Sequence, residues 1–219
     1  MKKFDKDKLL KESKTFCMAP WIELHILNTG KVYPCCASDN VQVDGLGDLS
    51  KGDTLLDAWN SKITGSNAFY DDYEIDEEIH HLDGQTIEEA EHQLATRLYQ
   101  NNARVHFNQH VEKEGRFGKR IIYGGYIISL ARAISCNGFA NSIKIAAIHS
   151  GTHSAPTFSG DTIYAWSKVL EKKELDKEIG ALKIRTLASK NNSKIIFPDE
   201  KLPENIVLDI IYSILIPIK

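Results

Sequence analysis

The 219-residue chain contains no run of about 18 apolar residues, so no membrane-spanning helix is expected. Neither charge dominates: 27 Lys and Arg stand against 30 Asp and Glu, for a formal net charge of −3, and the two signs are interspersed. Without a clustered basic surface, nucleic acid is not expected as a partner, because phosphate binding draws on grouped Lys and Arg. The first eight residues are charged and lack the apolar core of a secretory signal, which predicts a cytoplasmic location. Cysteine is scarce. Cys17, Cys35, Cys36 and Cys136, in a chain read as leaderless, point to reduced thiols rather than a disulfide framework. What is present is an ordinary apolar fraction of 42%, enough for a proper core. The length suits one large domain, or one ordinary domain with an extension.

Residues 1–14 are lysine-rich and read as a frayed helix or tail. Residues 22–26 alternate like a strand, Asn28-Thr-Gly30 is a turn, and Lys31-Val-Tyr33 is a second short strand, a hairpin that Pro34-Cys35-Cys36 closes. Residues 54–60 read as a short helix. The ordered set Cys17, Pro20, Trp21, Gly30, Pro34, Cys35, Cys36, Gly47-Asp48-Leu49 and Trp59-Asn60-Ser61 resembles the cysteine-bearing accessory segment of radical-SAM proteins, related to SPASM and twitch domains. It covers about residues 15–62, and it implies that Cys17, Cys35 and Cys36 could ligate an auxiliary iron–sulfur cluster. The departure is large. No C-x-x-x-C-x-x-C run occurs, so the catalytic cluster site of a radical-SAM enzyme is absent. A complete cluster usually takes four thiolates; three are local, and Cys136 falls in the helix of another module. A packed hairpin with buried free thiols is therefore expected here.

Gly65-Ser66-Asn67 marks a boundary, giving an N-terminal segment 1–64 and a main domain 65–219. Residues 69–79 read as an acidic lead-in with an aromatic anchor. Thr86 and Glu89 have capping-box spacing, and Ile87, Ala90, Leu94 and Leu98 would line one face of the helix that follows. That helix ends near Tyr99 and delivers Asn101 and His106 into a loop. A short polar helix is expected over 108–115. From Tyr126 to Ile134 apolar residues occupy nearly every face, Arg132 excepted, which predicts a helix wrapped on several sides. Its start is Gly124-Gly125. A helix start with unblocked N–H groups can hold a carbonyl oxygen that becomes negative during reaction, and an imidazole beside it moves protons at neutral pH. Chemistry on a carbonyl compound follows. Residues 143–148, 161–170, 179–187 and 205–216 read as strands, and a buried helix followed by long antiparallel strands predicts an α+β arrangement with a sheet curled round one helix.

Thr86, Glu89, the block from Gln100-Asn101 to His106-Phe107, Phe117-Gly118, Tyr123-Gly124, Pro156 and Gly160-Asp161-Thr162-Ile163 together resemble the MaoC-like dehydratases, the hot-dog-fold family of (R)-specific enoyl-CoA hydratases. The likeness covers about residues 69–217. The run Q-N-x-A-x-x-H-F-N at 100–108 is similar to that of the mesaconyl-CoA (β-methylmalyl-CoA) hydratase branch. The resemblance implies a hydro-lyase acting on the double bond of an acyl-CoA, with no cofactor beyond the coenzyme A of the substrate. It assigns acid–base duty to His106. The family's Asp position is held by Asn101, which cannot take a proton and would orient water instead. Gly124 would polarise the thioester carbonyl through its N–H. Arg104, Phe107, Tyr123 and Gly125 fall on the substrate side, with Arg104 a candidate for a distal carboxylate. A single hot-dog unit leaves a sheet edge and an open cleft, so a homodimer with the acyl-CoA tunnel near its interface is expected.

Other readings remain open at this level. One is a non-catalytic acyl-thioester-binding module, marked by the Asp-to-Asn change. Another is a hot-dog thioesterase, although such enzymes use an acidic residue near the central helix and none lies between Arg116 and Asn141. A third gives the N-terminal segment its own role in cluster binding or docking. His80, His81 and His92 lie in polar stretches and read as solvated surface. His149 and His153 flank Gly151 without further ligands nearby, so no metal is expected there. Asp161 reads as a turn residue, and residues 172–178 as a solvated hairpin tip.

Overall fold

Five antiparallel strands build the main sheet. In the computed structural model the described residues are 64–194, 197–198 and 202–219, with the backbone of 25–26, 31–33 and 47–48. The chain divides into two units, Met1–Thr64 and Gly65–Lys219. In the first, β1 (His25–Ile26), β2 (Lys31–Tyr33) and β3 (Gly47–Asp48) form an antiparallel sheet in that order, with His25 opposite Tyr33 and Val32 opposite Gly47. The helix expected at 54–60 and the cysteines Cys17, Cys35 and Cys36 lie outside the described residues.

The second unit holds a five-stranded antiparallel sheet in the order β4-β6-β7-β8-β5. Its strands are β4 (Glu78–Thr86), β5 (Lys144–His153), β6 (Thr162–Glu174), β7 (Ile179–Lys190) and β8 (Ile206–Pro217). Period-2 alternation explains the inner face: Ile210, Tyr212, Ile214 and Ile216 of β8, with Leu182 and Ile184 of β7, point one way and are buried. Across that face lies α3 (Gly124–Ile134), which buries Ile127, Leu130 and Ala131 in the same cluster. Each fully buried large apolar side chain contributes about 1.5–3 kcal/mol. A smaller cluster of Trp166, Leu187, Phe197 and Ile206 packs separately. The α+β, helix-under-sheet expectation holds.

Several local expectations fail. The aromatic anchor of residues 69–79 is present, Tyr70 and Tyr73 being buried, but the segment already enters β4 at Glu78. As an edge strand β4 buries only His81, so it shows no alternation to read. Its Gly84 is required by a close approach, since a Cβ there would lie 2.5 Å from the Tyr164 ring. Thr86 and Glu89 form no capping box; Thr86 ends β4 and shares a hydrogen bond with the Thr162 hydroxyl at 2.9 Å. The helix α1 runs over Glu89–Leu98 and buries His92, Ala95 and Thr96, while Leu94 and Leu98 face outward. The period was readable and the face was not, because the face depends on where the loop and α3 sit. The helix α3 is covered on the sides of Ile127, Leu130 and Ala131, as expected, and leaves Ser129 and Ala133 exposed. Cys136 lies in the 3-10 turn Ser135–Gly138 that follows α3. The helix expected over 108–115 is the shorter α2 (Gln109–Glu112).

Candidate active site at the start of the central helix

Two consecutive residues of α1 hold the site together. His92 is fully buried, and its Nε2 accepts the N–H of Tyr123, the residue that caps α3, at 2.9 Å. Gln93 donates its amide to the His106 carbonyl at 3.0 Å. One side chain thus anchors the helix start and its neighbour anchors the loop. His92 is no solvated surface residue. Burial, and next the His106 ring 6.5 Å away, push its pKa down to about 4, so it stays neutral.

After α1 the chain reverses at Gln100, whose φ of 50° is left-handed. The Asn101 N–H then donates to Thr96 O at 2.9 Å, and the Asn101 Oδ1 accepts the Ala103 N–H at 2.8 Å, an Asx turn. The 3-10 turn Arg104–His106 follows. His106 Nδ1 lies 3.0 Å from the carbonyl oxygen of Ile121. A carbonyl only accepts, so Nδ1 carries the proton and Nε2 of the neutral ring keeps its lone pair. The Tyr123 ring stands 5.8 Å from that of His106. Arg104 and Phe107, on and just after this turn, are exposed, Phe107 at 41%.

At the start of α3 the N–H groups of Tyr126 and Ile127 turn back to Tyr123 O at 3.0 and 3.4 Å. Those of Gly124 and Gly125 have no acceptor among the described residues, as the first N–H groups of a helix generally lack one. Neither glycine can take a side chain freely. A Cβ on Gly125 would meet the Tyr123 ring at 2.5 Å, and one on Gly124 would meet His153 Nε2 at 2.6 Å. His153 is the last residue of β5, opposite Leu208 of β8, and burial lowers its pKa, partly offset by a hydrogen bond to the Val207 backbone.

The fold thus brings together His106, Tyr123, Gly124 and Gly125, with Asn101 in the turn leading to His106. It adds His92, Gln93 and His153, which pattern reading passed over. No local signal marks them, because each acts on a residue distant in sequence. Among the described residues, no group of three His, Cys, Asp or Glu could hold a metal ion. No described helix is long and apolar enough to cross a membrane.

An antiparallel sheet folded over one helix, with its polar site at that helix's N-terminus, defines a hot-dog domain. Comparison with known proteins agrees. The double-hot-dog protein Rv0216 of Mycobacterium tuberculosis superposes with a TM-score of 0.56 at 23% identity, over 73% of this chain and 45% of that one. A crystal structure described as a MaoC domain protein dehydratase, from Chloroflexus aurantiacus, matches with a TM-score of 0.70 at 55% identity, over 74% of this chain and 48% of that one. Among curated proteins, the β-methylmalyl-CoA dehydratase of C. aurantiacus is 56% identical over 73% of this chain and 47% of its own length. The mesaconyl-CoA hydratase of Cereibacter sphaeroides is 45% identical over 71% and 46%. Through its second unit, the chain belongs to the MaoC-like dehydratase family. It spans about half the length of the curated relatives it matches. A family model for SPASM, an iron–sulfur cluster-binding domain, matches residues 17–77, running past the division between the two units. Its thiols Cys17, Cys35 and Cys36 fall outside the described residues, and three are fewer than the four a cluster usually takes.

Proposed function

We propose that this protein adds water to, or removes it from, the α,β double bond of an enoyl-CoA thioester, with a mesaconyl-CoA-like acyl group. The observation that carries this reading is His106, its Nδ1 held by Ile121 O so that Nε2 keeps a lone pair, in a loop that shares the anchoring residues of a helix start with unpaired N–H groups. In hydration, His106 Nε2 takes a proton from water as the water oxygen bonds to the β-carbon. The electron pair of the double bond moves onto the thioester oxygen, where the Gly124 N–H receives the developing charge. The α-carbon then takes the proton back from the imidazolium. Asn101 orients the water through its amide N–H, its Oδ1 being held in the turn. Phe107, Tyr123 and Gly125 flank the acyl thioester. No step runs through a cluster, and the substrate's coenzyme A is the only cofactor the chemistry requires.

A second hot-dog unit completes the cleft, in our reading as a homodimer. All of β5 is exposed on a sheet edge, including Ile145 and Ile148, and an open edge of this kind invites pairing. A monomeric mass by light scattering would refute the dimer.

The test is loss of enoyl-thioester absorbance with mesaconyl-CoA and crotonyl-CoA. Turnover of either is the expected result. Release of free thiol instead would identify a thioesterase, and saturable binding without turnover a binding module. Arg104 is exposed, and we read it as the partner of a distal carboxylate, so Arg104→Ala should raise KM for mesaconyl-CoA and leave crotonyl-CoA unaffected; equal effects on both would reject that contact.

Gly124→Ala tests oxyanion binding, with the unfolding midpoint measured alongside. The added methyl would collide with the His153 ring and fill the space before the helix start. The His153 ring must shift to admit the methyl, so a modest loss of stability is expected beside the intrinsic helix gain of alanine over glycine. We expect kcat to fall about 100-fold or more, the usual cost of losing one oxyanion donor, in a protein that remains folded at the assay temperature by its unfolding midpoint. Retained activity would remove Gly124 from the mechanism.

A further inference from the structure

South of the loop that carries His106, two phenyl rings meet at the surface. Phe117, 39% exposed, packs edge-on against Phe158 with ring centroids 5.6 Å apart. Three cations stand over them: Arg116 at 5.1 Å from the Phe117 centroid, and Lys119 and Lys190 at 4.2 and 5.8 Å from that of Phe158. None of the three makes an ion pair among the described residues, where Arg120, Lys168, Lys183, Arg185 and Lys219 all do. The Asp161 carboxylate beside Phe158 is engaged elsewhere, accepting the Phe158 N–H and the Asn191 amide, both at 2.9 Å. In a chain of net charge −3 this is a local positive island built on aromatic rings.

We infer that this platform is the subsite for the phosphoadenosine end of coenzyme A. The inference rests on the hydratase reading only in taking a coenzyme A thioester as the substrate. Its position follows from the chain itself. The Ile122 N–H donates to Thr157 O at 2.9 Å, tying the irregular segment of residues 117–122 to the loop that bears Phe158. One residue earlier, the Ile121 carbonyl holds His106. A single stretch thus runs from the acid–base residue to the platform, a path that the pantetheine arm would follow. The chemistry matches at both ends. A purine stacks on an exposed aromatic face, and guanidinium and ammonium groups that leave their rings pair with phosphate oxygens. A lone cation–π pair would be an ordinary surface feature; three cations without a carboxylate partner among the described residues, Lys190 also donating to Pro156 O at 2.6 Å, over two touching rings suit a ligand that joins an aromatic base to several phosphates.

The test compares a coenzyme A thioester with the matching pantetheine thioester, which lacks the nucleotide. In Phe117→Ala, and in the double variant Arg116→Gln, Lys119→Gln, KM for the coenzyme A ester should rise about tenfold with kcat unchanged, the size expected for one lost stacking contact. KM for the pantetheine ester should not move, and the double variant should flatten the salt dependence seen with the coenzyme A ester. Equal changes for the two esters, or none, would overturn the subsite. A wild type that prefers an acidic carrier-protein thioester to the coenzyme A ester would overturn it as well. Titration of wild type and variants with adenosine 3′,5′-bisphosphate reads the platform without catalysis. Binding lost in the variants supports the subsite even if no ester is hydrated, whereas hydration by a wild type that binds no bisphosphate leaves the hydratase reading standing and the subsite refuted.

Discussion

Replacing His106 by alanine should lower hydration turnover by a factor of about 100–10,000, the usual range for a lost general acid–base group. Neither Asn101 nor His92 can take over. Asn101 has no basic site, and its Oδ1 already accepts the Ala103 N–H. His92 Nε2 is occupied by the Tyr123 N–H, and its burial holds it neutral far below the assay pH. The cost to folding is small by comparison, because the half-exposed ring loses one hydrogen bond, to Ile121 O, of about 0.5–1.5 kcal/mol. His106→Asn is the sharper companion. Its amide can reproduce the donor to Ile121 O and still cannot accept the proton from water, so it should fold like the wild type and be equally inactive. Progress curves of enoyl-thioester absorbance, with unfolding midpoints for both variants, decide the matter. A rate within tenfold of wild type would move the base elsewhere, with His153, whose ring lies against Gly124, the next candidate.

Acid should destabilise the fold well above the range where carboxylates titrate. His81 lies buried in β4 with its Nε2 2.8 Å from Ser167 Oγ, the first link of a buried chain through Thr186 Oγ1 (2.8 Å) to Tyr212 OH (3.1 Å). Burial chiefly, then the Arg132 charge and next that of His80, push its pKa down to about 4. His92 is held down to about 4 as well. In the unfolded chain both imidazoles take up a proton near pH 6.5, whereas the folded protein resists until about pH 4. Through that window the unfolded state binds more protons, so stability is full above about pH 7 and declines as pH falls. Each histidine accounts for up to about 3 kcal/mol of the decline. Denaturant midpoints at pH 7.5, 6 and 5 should fall steadily, and His81→Gln should weaken that dependence. A flat midpoint down to pH 5 would mean that water reaches both rings.

Both histidines also show where local patterns stop. The stretch His80-His81 and the polar helix bearing His92 look solvated because their neighbours in sequence are polar. Burial came from partners far along the chain: Ser167 and Phe139 for His81, Tyr123 for His92. His153 is similar, since nothing within β5 says that its ring will rest on Gly124. The edge strand β4 escaped because a strand with one buried residue carries no alternating signal.

What the amino-acid sequence determined by itself was everything written in short range. The alternation of β6, the glycine start of α3, the turn at Asp161 and the block from Asn101 to His106 each follow from residues a few positions apart, whose backbone preferences act before the chain folds. The ordered motifs likewise sufficed for the MaoC-like resemblance. The tertiary structure alone decided which face of α1 turns inward, which histidines lose their water, and how Ile121 assigns the proton on His106. These depend on long-range contacts, and a side chain's burial and protonation are properties of the packed neighbours around it rather than of its place in the chain.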